Sequence, residues 1–161
     1  MSKFIMVSPS KAVDVYELLP RIRDKLKVIL GLTFEPILHA EVNNGEANSG
    51  SGWVDPSKDH AFILRVNDIE QITRVLSSTN KTDFFIVLPR RSGCAVGAAT
   101  AIALAEHFGS QIDDSEGGLT KEGYLSPSEL LQRIKLDGPY DKKEEATHAF
   151  EAKNEESIRQ R

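Results

Sequence analysis

The sequence predicts a single α/β or α+β domain in which helices pack on a mixed sheet of about five strands. Three observations lead to this prediction. The chain has 161 residues, of which 40% are hydrophobic, and this is enough for one core of ordinary size. Short apolar segments of strand-forming residues alternate with segments whose apolar residues recur every three or four positions. Polar stretches rich in glycine, serine and proline separate these segments.

The first elements are predicted to be a strand and a long helix. Residues 3–7 are apolar and end at Ser8, which is followed by a proline. Ser10 is a candidate N-cap, and the apolar residues after it keep the helical period as far as Gly31, a good C-terminal stop. Pro20 lies inside this pattern and removes one backbone donor. We therefore expect the helix to be kinked there or to be two helices.

The next segment is predicted to contain an edge strand and a loop. Residues 33–42 are rich in apolar residues, but Pro36 favours the edge of a sheet or a bulge. Residues 43–52 have no side chain that could anchor a core and are predicted to form a mobile surface loop. Trp53 follows this loop, and it is either a lid on the edge of the core or an exposed anchor for a partner.

A βαβ unit is predicted over residues 61–88. Residues 61–66 and 84–88 are apolar runs typical of strands, and the second run is unbroken, as in a central strand. The segment between them is predicted to be a helix with a buried stripe made of Ile69, Ile72, Val75 and Leu76. Strand, helix and strand in this order imply a right-handed crossover and a parallel pair.

The C-terminal half is predicted to contain two helices before a charged end. Residues 95–108 are rich in alanine and predict a buried helix, which a short strand at 111–112 follows. Ser126 begins a second helix, with Glu129 at the reciprocal capping position. From residue 137 onward the chain is mostly charged. We therefore expect residues 1–136 to be the globular domain and residues 137–161 to be a tail or a loosely packed helix.

The net charge of −4 comes from the C-terminal third of the chain. Residues 1–110 contain 12 basic and 12 acidic residues, whereas residues 111–161 contain 8 and 12. No basic excess is present to neutralise phosphates, so direct binding of nucleic acid is not expected. The acidic end favours cationic partners, or it serves only solubility.

The expected compartment is the cytoplasm. Cys94 is the single cysteine, which excludes an internal disulfide and favours a reducing environment. No signal peptide is recognisable, and no apolar run approaches the ~20 residues that span a membrane. The histidines lack the spacing of metal ligands, so neither a metal nor a cofactor is expected. The oligomeric state is left open.

One candidate site precedes the alanine-rich helix. The loop contains Arg90, Arg91, Ser92 and Gly93, and a helix N-terminus beside two arginines can bind an anion. The phosphate-loop and dinucleotide glycine patterns are both incomplete. The small residues that follow, Gly97 among them, are equally explained by close packing of the helix on the sheet. Cys94 is either an activated thiol at this helix start or a small buried residue.

A second candidate site is the acidic sequence that follows the short strand. Asp113, Asp114 and Glu116 place three carboxylates in four residues. They could bind a divalent cation, transfer protons or bind a basic partner, or they could only cap and solvate a turn. The calcium-loop pattern is absent. Among the functional alternatives we favour a basic partner.

The segments LPRRSG, AVGAATAIALAEHFG and IDDSEGG belong to a stretch, residues 61–118, that resembles small bacterial immunity proteins found beside polymorphic, contact-dependent toxins. The resemblance is one of overall style. It implies a cytoplasmic α/β or α+β protein without enzymatic activity. It also implies that the protein binds a cognate protein toxin and occludes the toxin's active site.

If the resemblance holds, acidic side chains are expected to face a basic cleft of the toxin and to speed association. The candidates are Asp113, Asp114, Glu116, Glu41 and Glu46, with Trp53 as an anchor. Reversing the charges of Asp113 and Asp114 is then expected to weaken partner binding more than folding. The alternative is a small hydrolase or transferase that binds an anionic substrate at the loop 90–94 and transfers protons through Asp113 or Asp114.

Overall fold

The computed structural model describes residues 3–45, 50–66, 72–88, 94–116, 118–120 and 122–159. These residues form one large sheet, one small sheet and a set of helices. The large sheet contains β1 (Lys3–Ser8), β3 (Leu38–Asn43), β5 (Ala61–Val66), β6 (Ile72–Ser77), β7 (Phe84–Leu88), β8 (Gln111–Asp114) and β9 (Gly123–Leu125). The small sheet pairs β2 (Val13–Asp14) with β4 (Trp53–Val54). The α-helices are α1 (Val15–Leu30), α2 (Ala95–Phe108), α3 (Pro127–Ile134) and α4 (Lys143–Arg159).

The large sheet has the order β3-β5-β6-β7-β1-β8-β9, and every neighbouring pair is antiparallel. The α+β alternative of the predicted fold class is thereby confirmed, and so is a single domain. The sheet has seven strands, more than the five expected, and it is antiparallel throughout, so the prediction of a mixed sheet is wrong. The central position predicted for β7 and the edge position predicted for β3 are both correct.

The predicted βαβ unit over residues 61–88 is wrong. β5 and β6 are antiparallel neighbours, and β6 is a strand where a helix was expected. Thr73 and Val75 are buried, whereas Ile72 and Leu76 are 40% and 38% exposed. Burial therefore alternates with a period of two, which is the period of a strand. Ile69, the first residue of the expected helical stripe, lies outside the described residues.

Helix α1 is continuous through Pro20, so neither a break nor a second helix occurs. The helix begins after β2 instead of at Ser10, and its N-cap is Asp14, whose Oδ1 accepts a hydrogen bond from the Tyr16 N–H at 3.0 Å. Gly31 ends the helix as predicted. Its φ of 61° is left-handed, and its N–H bonds the carbonyls of Lys27 and Val28.

Helix α2 packs directly on the inner face of the sheet and is itself covered by α1 and α3. Every residue from Ala95 to Ala105 is buried. A Cβ added at Gly97 would lie 2.7 Å from Leu88 Cδ2 and 3.0 Å from Thr73 Oγ1. The interpretation that this glycine permits close packing is therefore confirmed.

The charged C-terminal segment is a helix that contributes to the core. Ala146 and Phe150 of α4 are buried. The chain that leads to α4 is hydrogen-bonded to the end of α1, with Tyr140 N–H donating to Gly31 O at 2.7 Å and Thr33 N–H to Tyr140 O at 2.9 Å. A disordered tail is thus excluded for residues 143–159, and the two segments are held together by their backbones.

The helices cover one face of the large sheet. Within the described ranges, no helix packs against the opposite face, where alternate strand residues are exposed or half-buried. We call this side the open face. It is the surface on which the candidate site lies.

Candidate functional site

The open face carries many apolar side chains. The register places Phe4 opposite Val87, Met6 opposite Phe85, and Leu76 opposite Phe85, so these side chains share one side of the sheet. Further members of the face are Ile63, Ile72 and Tyr124, the last of which is 66% exposed. A solvated sheet face normally alternates with polar residues. Arg65 and Arg74 also lie on this face, but its apolar side chains are contiguous across β6, β7 and β1, and such a patch indicates a surface that contacts another molecule.

A groove of about 450 Å³ lies at one end of this face. Its floor is formed by Phe4, Met6 and Phe85, and the rings of the two phenylalanines are 5.6 Å apart between centroids. One wall is the connection between β6 and β7, and the other is the end of β8 with the segment that follows it. These walls contain Ser78, Thr79, Asn80 and Asp83 on one side, and Asp113, Ser115 and Glu116 on the other.

Three carboxylates line the groove, and none of its described lining residues is basic. Asp113 Oδ1 accepts a hydrogen bond from Ser115 N–H at 2.9 Å, and Glu116 Oε2 accepts one from Phe4 N–H at 2.9 Å. The structure therefore places two of the predicted partner-binding residues, Asp113 and Glu116, at one site. Both remain accessible from the groove.

Asp83 is the third carboxylate, and sequence reasoning missed it. It lies immediately before the unbroken apolar run of β7. An acidic residue at the start of a central strand was the signal in the sequence that could have identified it. The residue is only 8% exposed. Its backbone N–H and C=O bond Ser78, but no hydrogen bond or ion pair to its carboxylate is found among the described residues.

Asp114 does not belong to the groove. Consecutive strand residues point to opposite faces, so Asp113 lies on the open face and Asp114 on the inner one. Asp114 is fully buried, and its carboxylate accepts hydrogen bonds from Gly118 N–H at 3.0 Å, Leu119 N–H at 3.2 Å and Thr120 N–H at 2.6 Å. The Thr120 hydroxyl donates a fourth bond at 3.0 Å.

We therefore correct the assignment of Asp114 from partner binding to holding the loop at residues 118–120. None of its surface is available to a partner. Its lone pairs are also engaged, so the hydrolase or transferase alternative loses Asp114 as a proton-transfer group. Reversal of its charge is expected to disrupt folding, contrary to the expectation from the sequence.

Glu41 and Trp53 lie away from the groove. Glu41 is on β3, five strands from β8, a separation of about 24 Å at the usual strand spacing. It pairs with Arg65 at 3.4 Å. Trp53 belongs to the small sheet and is 54% exposed, so its interpretation as a lid on the core is wrong. Its exposure agrees with the alternative of an anchor.

The remaining predicted residues cannot be placed. Glu46 and the candidate anion-binding residues Arg90, Arg91, Ser92 and Gly93 lie outside the described residues. Cys94, which follows them, is 9% exposed and precedes α2 with a φ of 37°. This burial agrees with the alternative that Cys94 is a small buried residue.

A smaller cavity of about 140 Å³ lies between α3, α4 and the loop at residues 118–120. Its polar side chains bond to protein. Arg133 pairs with Glu122 at 2.9 Å, Lys153 donates to Lys135 O at 2.6 Å, and Asn154 donates to Leu119 O at 3.2 Å. These contacts explain the lining of this cavity as packing between helices.

Two further properties of the described residues bear on the site. They contain no group of three or more histidine, cysteine, aspartate or glutamate residues that could hold a metal ion. They also contain no helix long and apolar enough to cross a membrane. Comparison of the chain with protein-family models, with curated proteins and with solved structures finds no match.

Proposed function

We propose that this protein is a cytoplasmic, non-enzymatic protein of the immunity type, which binds a cognate bacterial toxin through the open face and occludes the toxin's active site. The class of partner comes from the resemblance over residues 61–118. The observation that carries the proposal is the combination, on a sheet face that no α-helix of the described residues covers, of an apolar patch and an acidic groove.

The size of the open face is suitable for a protein partner. Seven strands spaced about 4.8 Å apart span about 29 Å, and the strands, of three to six residues each, are about 10–20 Å long. The flat area is therefore on the order of 500 Å², and side-chain relief increases the accessible area. A standard interface buries about 800 Å² on each partner. The face is large enough to provide most of such an interface.

The charge of the groove favours a partner with a basic surface. Asp83, Asp113 and Glu116 line it without a basic residue among its described lining. A toxin that degrades nucleic acid presents a basic cleft, and carboxylates can occupy the positions of its substrate phosphates. Complementary charge at one end of an apolar face speeds association and fixes the orientation of the complex.

The proposal is tested with the protein encoded next to this chain. The two are co-expressed, growth is measured, and the affinity of the purified pair is determined by calorimetry. We expect a one-to-one complex and survival of cells that express both. Leu76→Glu places a charge in the middle of the open face and is expected to weaken the complex about 100-fold, because a charge buried at an apolar contact is strongly unfavourable.

Val28→Glu is the matched control, since Val28 is also apolar and is 47% exposed but lies on α1, which packs on the other side of the sheet. We expect it to leave affinity within threefold of the wild type. Unfolding measurements check that both variants are folded. A neighbouring toxin that the chain does not neutralise would refute the proposed function. Equal affinity of the two variants would refute the assignment to the open face.

A further inference from the structure

Asp83 is the one groove carboxylate that the fold does not explain. Among the described residues, Thr147 Oγ1 is the one fully buried side-chain nitrogen or oxygen without a partner, so the carboxylate oxygens of Asp83 are accessible from the groove. Glu116 and Asp113 accept backbone hydrogen bonds, but the carboxylate of Asp83 has no such partner in the described part of the chain, although the residue is more than nine-tenths buried. The nearby Lys81 does not compensate it, since Lys81 Nζ pairs with Asp59 at 3.2 Å.

The groove around Asp83 provides the contacts that a cation on an apolar stem requires. The floor is aromatic and apolar, with Phe4 and Phe85 side by side and Met6 next to them. An aromatic face attracts a cation, and an apolar wall accommodates methylene groups. A metal ion does not fit, because these carboxylates do not form a metal-binding cluster.

An arginine side chain fits these features better than a compact ammonium ion. Its guanidinium is planar, stacks on aromatic rings, and offers five donors that can reach several carboxylates at once. It is also more weakly hydrated than an ammonium, so its transfer from water into a groove with an apolar floor costs less. The three carboxylates lie around the aromatic floor, which suits a delocalised charge.

We propose that the groove is a receptor for one arginine side chain of the bound protein, with the guanidinium paired to Asp83 over the rings of Phe4 and Phe85. The source of the arginine rests on the proposed function, since the toxin supplies it. The site itself rests on the unpartnered carboxylate of Asp83 and on the groove.

The site is tested first without a toxin. N-acetyl-arginine amide is titrated into the full-length chain, and backbone amide shifts are followed by NMR. We expect saturable shifts at Phe4, Phe85 and Asp113 with a millimolar Kd. The neutral analogue N-acetyl-citrulline amide should cause no saturable shift. Because the charges are partly exposed to solvent, raising the salt concentration should weaken arginine binding.

Asp83→Asn is the decisive variant. It keeps the shape of the side chain and removes its charge, and we expect it to weaken arginine binding about tenfold. Without ligand it should melt at the same temperature as the wild type, because the charge that is removed faces the groove and has no partner among the described residues. Glu106→Gln is the control. Glu106 is a carboxylate on α2 that does not line the groove, and its Oε1 pairs with Lys25 Nζ at 2.8 Å. Loss of its charge should not change arginine binding.

Absence of saturable shifts, equal shifts with citrulline, or unchanged affinity in Asp83→Asn would each overturn the arginine site. Micromolar binding of free L-arginine would overturn its assignment to a partner's side chain in favour of a small-molecule ligand. The two proposals fail separately. Arginine binding without toxin neutralisation overturns only the proposed function. If the Asp83→Asn variant binds the toxin as tightly as the wild type, only the arginine site is overturned.

Discussion

Replacement of Asp114 is expected to destabilise the fold strongly. Its buried carboxylate accepts four hydrogen bonds from the loop at residues 118–120. In Asp114→Ala, the hydroxyl of Thr120 can rotate and the half-buried N–H of Gly118 can be hydrated, but the N–H groups of Leu119 and Thr120 remain buried without an acceptor. At about 1–3 kcal/mol for each unsatisfied donor, the loss is about 4 kcal/mol.

Asp114→Asn separates the effect of charge from that of size. One oxygen is retained and can still accept from Gly118 or Leu119, whereas the new NH₂ group opposes the two donors of Thr120. We expect a loss of about 2–3 kcal/mol. The matched control is Asp113→Asn, one residue earlier on the open face, where the change should be below about 0.5 kcal/mol.

The assay is urea unfolding followed by far-ultraviolet circular dichroism, with the free energy of unfolding extrapolated to water. Equal urea slopes for the variants and the wild type would show that the comparison is between similar unfolded states. If Asp114→Asn and Asp113→Asn had the same stability, the structural role derived for Asp114 from strand alternation and its four donors would be refuted.

Two further predictions concern stability away from the groove. In Gly138→Ala, the added Cβ would lie 2.9 Å from Gly31 Cα, a backbone atom that cannot move without breaking the bonds that attach the chain before α4. We expect the free energy of unfolding in urea to fall by about 2–3 kcal/mol. Asp137→Ala, at an exposed neighbouring position, is the control, and a similar fall in it would contradict the clash as the cause. The Ser57 hydroxyl and then its N–H donate to Asp55 and lower the pKa of that carboxyl. Because the folded pKa lies below the unfolded one of about 4, the stabilisation is complete above pH 4 and is lost as the pH falls through the folded pKa. The free energy of unfolding, measured between pH 2 and 7, should therefore fall less in acid for Asp55→Asn than for the wild type. The difference should be less than about 1 kcal/mol because the site is largely exposed to solvent. A curve identical to that of the wild type would contradict the role of Ser57.

Two helix ends were predictable because they have local chemical causes. Ser126 forms the reciprocal capping box with Glu129, and Gly31 adopts the left-handed conformation that ends α1. Such interactions depend on neighbouring residues and can be read from a short stretch of sequence. The long buried helix α2 was predictable for a similar reason, since its small apolar residues are continuous in the sequence.

Strand β6 was not predictable from apolar spacing because each of its faces carries both polar and apolar residues. Thr73 and Val75 point inward, whereas Ile72, Arg74 and Leu76 point outward. The alternation that identifies a half-buried strand is therefore absent, and the remaining spacing imitates a helix. The residues that concealed the strand are among those that form the open face.

The site was only partly predictable because antiparallel pairing joins distant segments. Asp113 and Glu116 were found as part of an acidic run, but Asp83 lies 30 positions before Asp113, and only the pairing of β7, β1 and β8 brings the two to one groove. Asp113 and Asp114 are adjacent in sequence and were treated as a pair. The strand geometry separates them into an accessible acid and a buried one.

The open face can diverge in sequence while the core stays constant. Along β1, β6 and β7, the outward residues Met6, Leu76 and Phe85 alternate with the inward residues Ile5, Val75 and Ile86. A substitution at an outward position changes what the face can bind and leaves the contacts with α2 intact. Relatives of this chain that face different partners are therefore expected to vary at every second position of these strands, so that one scaffold can acquire new partners without being refolded.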